Sequence, residues 1–185
     1  MDVMIDLETM GNGPRASIAS IGAVVFSRRD PLPPKEESQT FYTRVDLRGQ
    51  KREFDPDTIY WWLNQGDGAR QALLEKPQLP LPDSLMAFRE WVRSFERTGT
   101  RFDGFWSLGS TFDLVILSTA YKESAIDNPM PYPKHLCLRT MFNLYGDPRS
   151  RATAGVKHNA LDDAYAQAVA LQSIFSNIAS AVKNG

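Results

Sequence analysis

Along the first part of the chain, apolar residues gather in short runs instead of recurring at helical intervals. Residues 3–7, 18–26 and 41–47 are rich in β-branched and aromatic side chains and are separated by turn formers. That pattern predicts three successive strands in an antiparallel meander. The rhythm then changes. In "DPDTIYWWLNQ", Asp55 can cap a helix, Pro56 suits its first position, and the apolar segment stops ahead of Gly66, so a short helix is expected. From Ser84 onward Leu85, Phe88, Trp91, Val92 and Phe95 fall at helical spacing, with Arg89, Glu90, Arg93 and Glu96 opposite them, which predicts an amphipathic helix. "FDGFWSL" reads as a buried fourth strand. "TFDLVILSTAYKES" reads as a helix capped by Ser110 or Thr111, which puts Asp113 in its first turn. "LCLRTMF" fits a short strand and a short helix equally well. Asn159 is placed to cap a last helix whose Ala160, Ala164, Ala168, Leu171, Phe175, Ile178 and Val182 share one face. This order predicts an α/β fold, a mixed sheet with helices packed across it.

Composition narrows the class without naming a chemistry. A chain of 185 residues is expected to form one domain, 1–185, with a substantial core. No apolar run approaches membrane-spanning length. The first residues form a patterned strand interrupted by Asp2 and Asp6, not a basic-then-apolar leader, so a cytoplasmic protein is expected. The single cysteine, Cys137, has no partner for a disulfide and is read as a small buried apolar residue. A net charge of -1 excludes a uniformly basic surface, so any nucleic-acid contact must rest on local patches. The basic clusters lie at 27–29, 48–52 and 149–157. The third runs straight into a motif bearing histidine and acids.

The chemistry begins with Asp6 and Glu8. Two residues apart on a strand, they project from the same face. Their mutual repulsion is relieved when a cation lies between them, and Mg²⁺ or Mn²⁺ prefers such hard oxygen ligands. An isolated D-x-E is also what a solvated strand end looks like. Three further residues change the balance: Asp113 in the first turn of its helix, His158 ahead of the last helix, and Asp163 within that helix. Asp162 is read as a solvated carboxylate favoured by the helix dipole, and His135 as an ordinary polar contact.

Taken in order, "DLET", "STFD" and "HNALDDA" resemble the motifs of the DnaQ-like DEDDh 3′-to-5′ exonucleases. His158 stands five places before Asp163, and Asn159 occupies the position where a tyrosine-using sister group carries Tyr, which favours the histidine branch. Within that branch the chain is similar to phage and prophage exonuclease VIII-like proteins and to mycobacterial exoribonuclease-like domains. The resemblance implies a ribonuclease H-like fold, with a three-strand antiparallel meander extended by parallel strands. It also implies two divalent ions, Mg²⁺ or Mn²⁺, held by Asp6, Glu8, Asp113 and Asp163, with His158 as general base. The expected substrates are 3′ ends of single-stranded DNA or RNA, the expected products are nucleoside 5′-monophosphates, and a homodimer is suggested by analogy.

By the same analogy Thr9, Met10 and Gly11 approach the terminal nucleotide, with Met10 against its sugar or base. Trp61 and Trp62 point about 100° apart on their helix, so at most one is fully core. Packing is the default for both, and Trp62 joins the substrate-facing candidates. Lys157, Arg149 and Arg151 are candidates for phosphate contacts, and Arg139 for orienting the site from within. Two positions depart from the family pattern: Leu108 stands where Asn is frequent in the second motif, and Cys137 where an Asp often precedes the Arg-Thr pair. Neither is a ligand. The rival expectations are a binding module that kept the fold without catalysis and a phosphoesterase acting on dinucleotides or other small nucleotides.

Overall fold

The computed structural model describes residues 1–74, 76, 79–148 and 158–183. Its centre is a five-stranded sheet built from β1 (Asp2–Thr9), β2 (Ile18–Phe26), β3 (Thr40–Arg44), β4 (Gly104–Ser107) and β5 (His135–Cys137), in the order β3-β2-β1-β4-β5. The first three strands form the expected antiparallel meander. β4 then joins β1 in parallel, and β5 joins β4 in parallel. β1 is therefore the central strand, and the residues at its C-terminal end lie where parallel and antiparallel halves of the sheet meet.

Alternation along β1 gives the sheet two distinct faces. Val3, Ile5 and Leu7 belong to one core with Leu85, Phe88 and Val92 of α3 (Leu81–Arg97) and Leu114, Leu117 and Tyr121 of α4 (Asp113–Glu123). On the other face, Met4 joins Val24, Phe26 and Trp106 beneath Ala164, Ala168 and Leu171 of α6 (Ala160–Lys183), with Leu138 and Phe142 of α5 (Leu138–Tyr145). Asp6 and Glu8 continue the Met4 side of β1 toward α6. Two short helices, α1 (Pro56–Leu63) and α2 (Asp67–Leu74), cover a third cluster around Met10 and Trp62. No helix among the described residues is long and apolar enough to cross a membrane.

Most elements follow their sequence signals. The Asp55 carboxylate caps α1 by accepting from the N–H groups of Asp57 and Thr58, and Asn159 Oδ1 caps α6 by accepting from Leu161 and Asp162. Four differ. α3 begins at Leu81, earlier than Ser84, because a proline in the first turn sacrifices no helical hydrogen bond. α2, flanked by Gly66 and containing Gly68, has too few apolar positions for its period to stand out. α4 starts at Asp113 after Phe112, with no side-chain cap from Ser110 or Thr111. The ambiguous "LCLRTMF" is both alternatives in succession, the end of β5 followed by α5.

Candidate active site

Three separate stretches of backbone bring the acidic groups together. Asp6 and Glu8 sit on β1, Asp113 opens α4 just beyond β4, and Asp163 lies in the first turn of α6. Asp113 is buried and accepts a hydrogen bond from the Leu7 N–H at 3.2 Å, which ties the start of α4 directly to β1. Asp6 Oδ1 accepts from Gln167 Nε2 at 2.7 Å. Asp163 Oδ2 accepts from the backbone N–H of His158 at 3.0 Å. His158 adopts a left-handed φ of 65°, an unfavourable conformation for a residue with a Cβ, and this turns its N–H back toward Asp163.

The electrostatics express how closely the acids approach. Burial pushes the Asp6 carboxyl well above its ordinary range, and the neighbouring Asp113, Glu8 and Asp163 push it further, against the opposing hydrogen bond from Gln167. Burial raises Glu8 to about 8, with Asp163 and Asp113 adding to the effect. Asp113 rises to about 6 through burial, moderated by backbone donors such as the Leu7 N–H. Three carboxylates that resist ionisation, with Asp163 adding to the repulsion on Asp6 and Glu8, are a natural site for divalent cations, whose charge reverses that penalty. One ligand atom each from Glu8, His158 and Asp163 lies within 4.8 Å of the others, close enough to surround an ion. The carboxylate oxygens are the hard ligands that Mg²⁺ or Mn²⁺ prefers, and the imidazole stands beside them.

Beside the acids, a cavity of about 410 Å³ is lined by Leu7, Glu8, Thr9, Asn12, Trp61 and Phe112, among others. Its tryptophan wall divides labour between two adjacent residues. Trp62 is 3% exposed and donates its indole N–H to the Thr9 carbonyl at 3.0 Å, so its ring is chiefly structural. Trp61 is 43% exposed, and its ring meets the His158 imidazole edge-on at a centroid distance of 4.8 Å. Trp61 is thus the more accessible of the two rings. Thr9 Oγ1 donates to the Gly11 carbonyl at 2.8 Å and shapes the turn after β1. Met10 is 2% exposed and packs with Ala19, Trp62 and Ala69, so it supports the cavity from below instead of facing it. Gly11 is buried in the same turn, close to Asp55 and Ala16.

Other sequence candidates lie elsewhere. Lys157, Arg149 and Arg151 fall outside the described residues. Arg139 is exposed, and its backbone N–H donates to the Leu108 carbonyl at 3.0 Å. Asp162 is ion-paired with Lys35, not freely solvated. Cys137 is half-buried: burial pushes its thiol up, but hydrogen bonds from Ser110 and Thr140 outweigh that and bring it down to about 7. His135 makes the ordinary contact expected, Nε2 to the Met130 carbonyl at 3.1 Å.

Two residues that position the site carry weaker sequence signals. Gln167 is four residues beyond Asp163, one helical turn along the same face. Gly22 pairs across the sheet with Asp6, and a Cβ built there would lie 2.2 Å from the Ala160 backbone. Only glycine lets the start of α6 approach β2 so closely, and that approach delivers Asp163 to the acids of β1.

The 3′-5′ exoribonuclease Rv2179c-like domain family matches residues 1–175. The chain belongs to this family. An exodeoxyribonuclease of Enterobacteria phage T4 is 30% identical over 125 residues, covering 63% of this chain, which spans about half the length of that relative (53%). Among solved structures, the nuclease domain of 3′hExo, a DEDDh family member bound to rAMP, superposes with a TM-score of 0.62 at 18% identity, covering 95% of this chain and 91% of that one. Pop2p of S. pombe in its Mg²⁺- and Mn²⁺-bound form gives 0.58 at 14% identity over 96% and 82%. These likenesses establish the ribonuclease H-like DEDDh nuclease fold. The family is one of 3′-5′ exoribonuclease-like domains, which makes the chain an exonuclease-family domain, a hydrolase.

Proposed function

We propose that the protein shortens single-stranded nucleic acid stepwise from its 3′ end, releasing nucleoside 5′-monophosphates, with two Mg²⁺ or Mn²⁺ ions held by Asp6, Glu8, Asp113 and Asp163. The observation that carries this reading is the convergence of those four carboxylates with His158 beside a cavity of nucleotide size. Asp6, Glu8, Asp113 and Asp163 would hold the ions, which would supply charge stabilisation to the attacking and departing oxygens of an in-line displacement. His158 takes the proton from the attacking water; its ring is braced by Trp61 and its backbone by Asp163. Gln167 fixes the Asp6 carboxylate, and Trp61 and Phe112 offer apolar surface to the terminal nucleoside. Thr9 and Gly11 shape the turn that borders it. The family description names RNA as the substrate and the phage relative's name points to DNA, so both belong in the assay.

The test offers 5′-labelled single- and double-stranded DNA and RNA with Mg²⁺ or Mn²⁺. A ladder shortening from the 3′ end is expected with wild type. His158→Ala should lower the rate by about 10²- to 10⁴-fold, the usual contribution of a positioned base. Undiminished activity in Asp6→Ala would reject the mechanism, and cleavage confined to dinucleotides would redirect the reading to a small-substrate phosphodiesterase.

A further inference from the structure

A second groove, of about 640 Å³, opens immediately beside the catalytic cavity. The two meet at consecutive residues: Phe112 lines the catalytic cavity, Thr111 lines the groove, and Asp113 follows. One wall is a face of α4, where Val115, Ser118, Thr119 and Lys122 recur at three- and four-residue intervals. The facing wall comes from the segment leading into β5 and carries Tyr132, which is 84% exposed, and His135, whose ring meets that of Tyr132 at 5.7 Å.

The lining chemistry differs sharply between the two cavities. Glu8 and Asp57 both border the catalytic cavity, which makes its far side hostile to phosphate and suitable for an uncharged sugar and base. Among the described residues the groove is lined by no acid; it presents hydroxyls, an amide, Lys122 and an exposed aromatic ring. Lys122 has no carboxylate partner among the described residues. An aromatic face, a cation and hydroxyl donors in one channel are the components of a single-strand track, on which bases stack without regard to sequence and phosphates are held electrostatically. The dimensions agree. Lys122 lies nine residues along α4 from Asp113, about 14 Å of helix axis at 1.5 Å per residue. That distance corresponds to about four nucleotides at the 3.4 Å rise of a single strand within a duplex.

We infer that this groove is the path of the substrate strand upstream of the scissile bond, with Tyr132 stacking a base and Lys122 contacting a phosphate a few nucleotides from the 3′ end. The inference rests on the exonuclease reading of the adjoining site. It concerns a separate set of residues, none of which touches the reacting atoms.

The test measures kcat/KM on single-stranded oligonucleotides from two to eight nucleotides, for wild type and for the Tyr132→Ala/Lys122→Ala double variant. Both side chains are exposed, so the variant should fold normally. Wild-type efficiency should rise with length to about five nucleotides and then level. In the double variant the eight-nucleotide substrate should lose at least about 10-fold, mainly through KM, since a base deprived of its aromatic platform is held less tightly. Dinucleotide cleavage should stay within about twofold, a pattern general destabilisation would not produce. Equal efficiency of variant and wild type on the longest substrate would overturn the groove while leaving the nuclease reading intact. A second arm is independent of turnover. Asp6→Asn protein with Mn²⁺ is irradiated with an oligonucleotide carrying 5-iodouridine at the fourth position from its 3′ end. Cross-linking to the peptide containing Tyr132 is expected; cross-linking elsewhere, or none, would overturn the proposal even if no substrate were hydrolysed.

Discussion

Asp6 receives a part-buried hydrogen bond from Gln167, whose other amide atom, Oε1, is buried with no hydrogen-bond partner among the described residues. Such a partner holds a ligand's orientation, and losing one typically costs 10- to 100-fold in metal affinity or activity. Gln167→Met should therefore raise the Mn²⁺ concentration needed for half-maximal activity by about that factor; an unaltered metal titration would show that Asp6 is oriented without it. Residue-scale electrostatics also set a pH dependence. Glu8, with an ordinary value of 4.5, is raised to about 8 in the folded, metal-free protein. The folded state thus binds more protons than the unfolded one between those limits, and stability must fall as pH rises through that window. Thermal melts in EDTA should show Tm decreasing from pH 5 to pH 8, with Mn²⁺ restoring more at pH 8 than at pH 5. Asp6→Asn keeps an acceptor for Gln167 while removing one of the repelling charges. It should raise the metal-free Tm at pH 8 even as it abolishes turnover.

At the scale of elements, the site depends on how three pieces of secondary structure are held together. Gly22 on β2 admits the first turn of α6, and the Leu7 N–H clasps the first residue of α4. A buried Arg52 adds a third tie, donating to the carbonyls of Ala16 at 2.9 Å and Pro14 at 3.0 Å in the loop after β1, and pairing with Glu123 at the end of α4. Gly22→Ala places a methyl group against backbone that cannot rotate aside. Overpacking of this kind costs about 1–3 kcal/mol or more. The expected result is a lower Tm together with an activity loss larger than the fraction unfolded at assay temperature, since Asp163 moves with α6. Normal activity in a folded Gly22→Ala protein would contradict this role.

For the whole molecule, the antiparallel meander and most of the helices were legible in the sequence because they rest on local, periodic signals, whereas the parallel strands and the candidate ligand set came from the likeness to the DEDDh exonucleases. Asp6 and Glu8 share a face by strand alternation, Asn159 announces the helix that brings Asp163, and the spacing of His158 to Asp163 follows from that cap. What escaped was contact between distant segments. Whether Trp61 or Trp62 is buried depends on where Thr9 places its carbonyl, 53 positions away. The burial of Met10 depends on α2, a helix too short and polar to be read from its pattern. The catalytic side of the fold is therefore a product of convergence, and its most direct test is crystallographic. A Mn²⁺ soak with a nucleoside 5′-monophosphate, read by anomalous scattering, should place metal on the Asp6 carboxylate together with Glu8 and Asp163. A second peak is expected on the Asp113 side of Asp6. Metal absent from Asp6, or held only by Glu8, His158 and Asp163, would contradict the central claim.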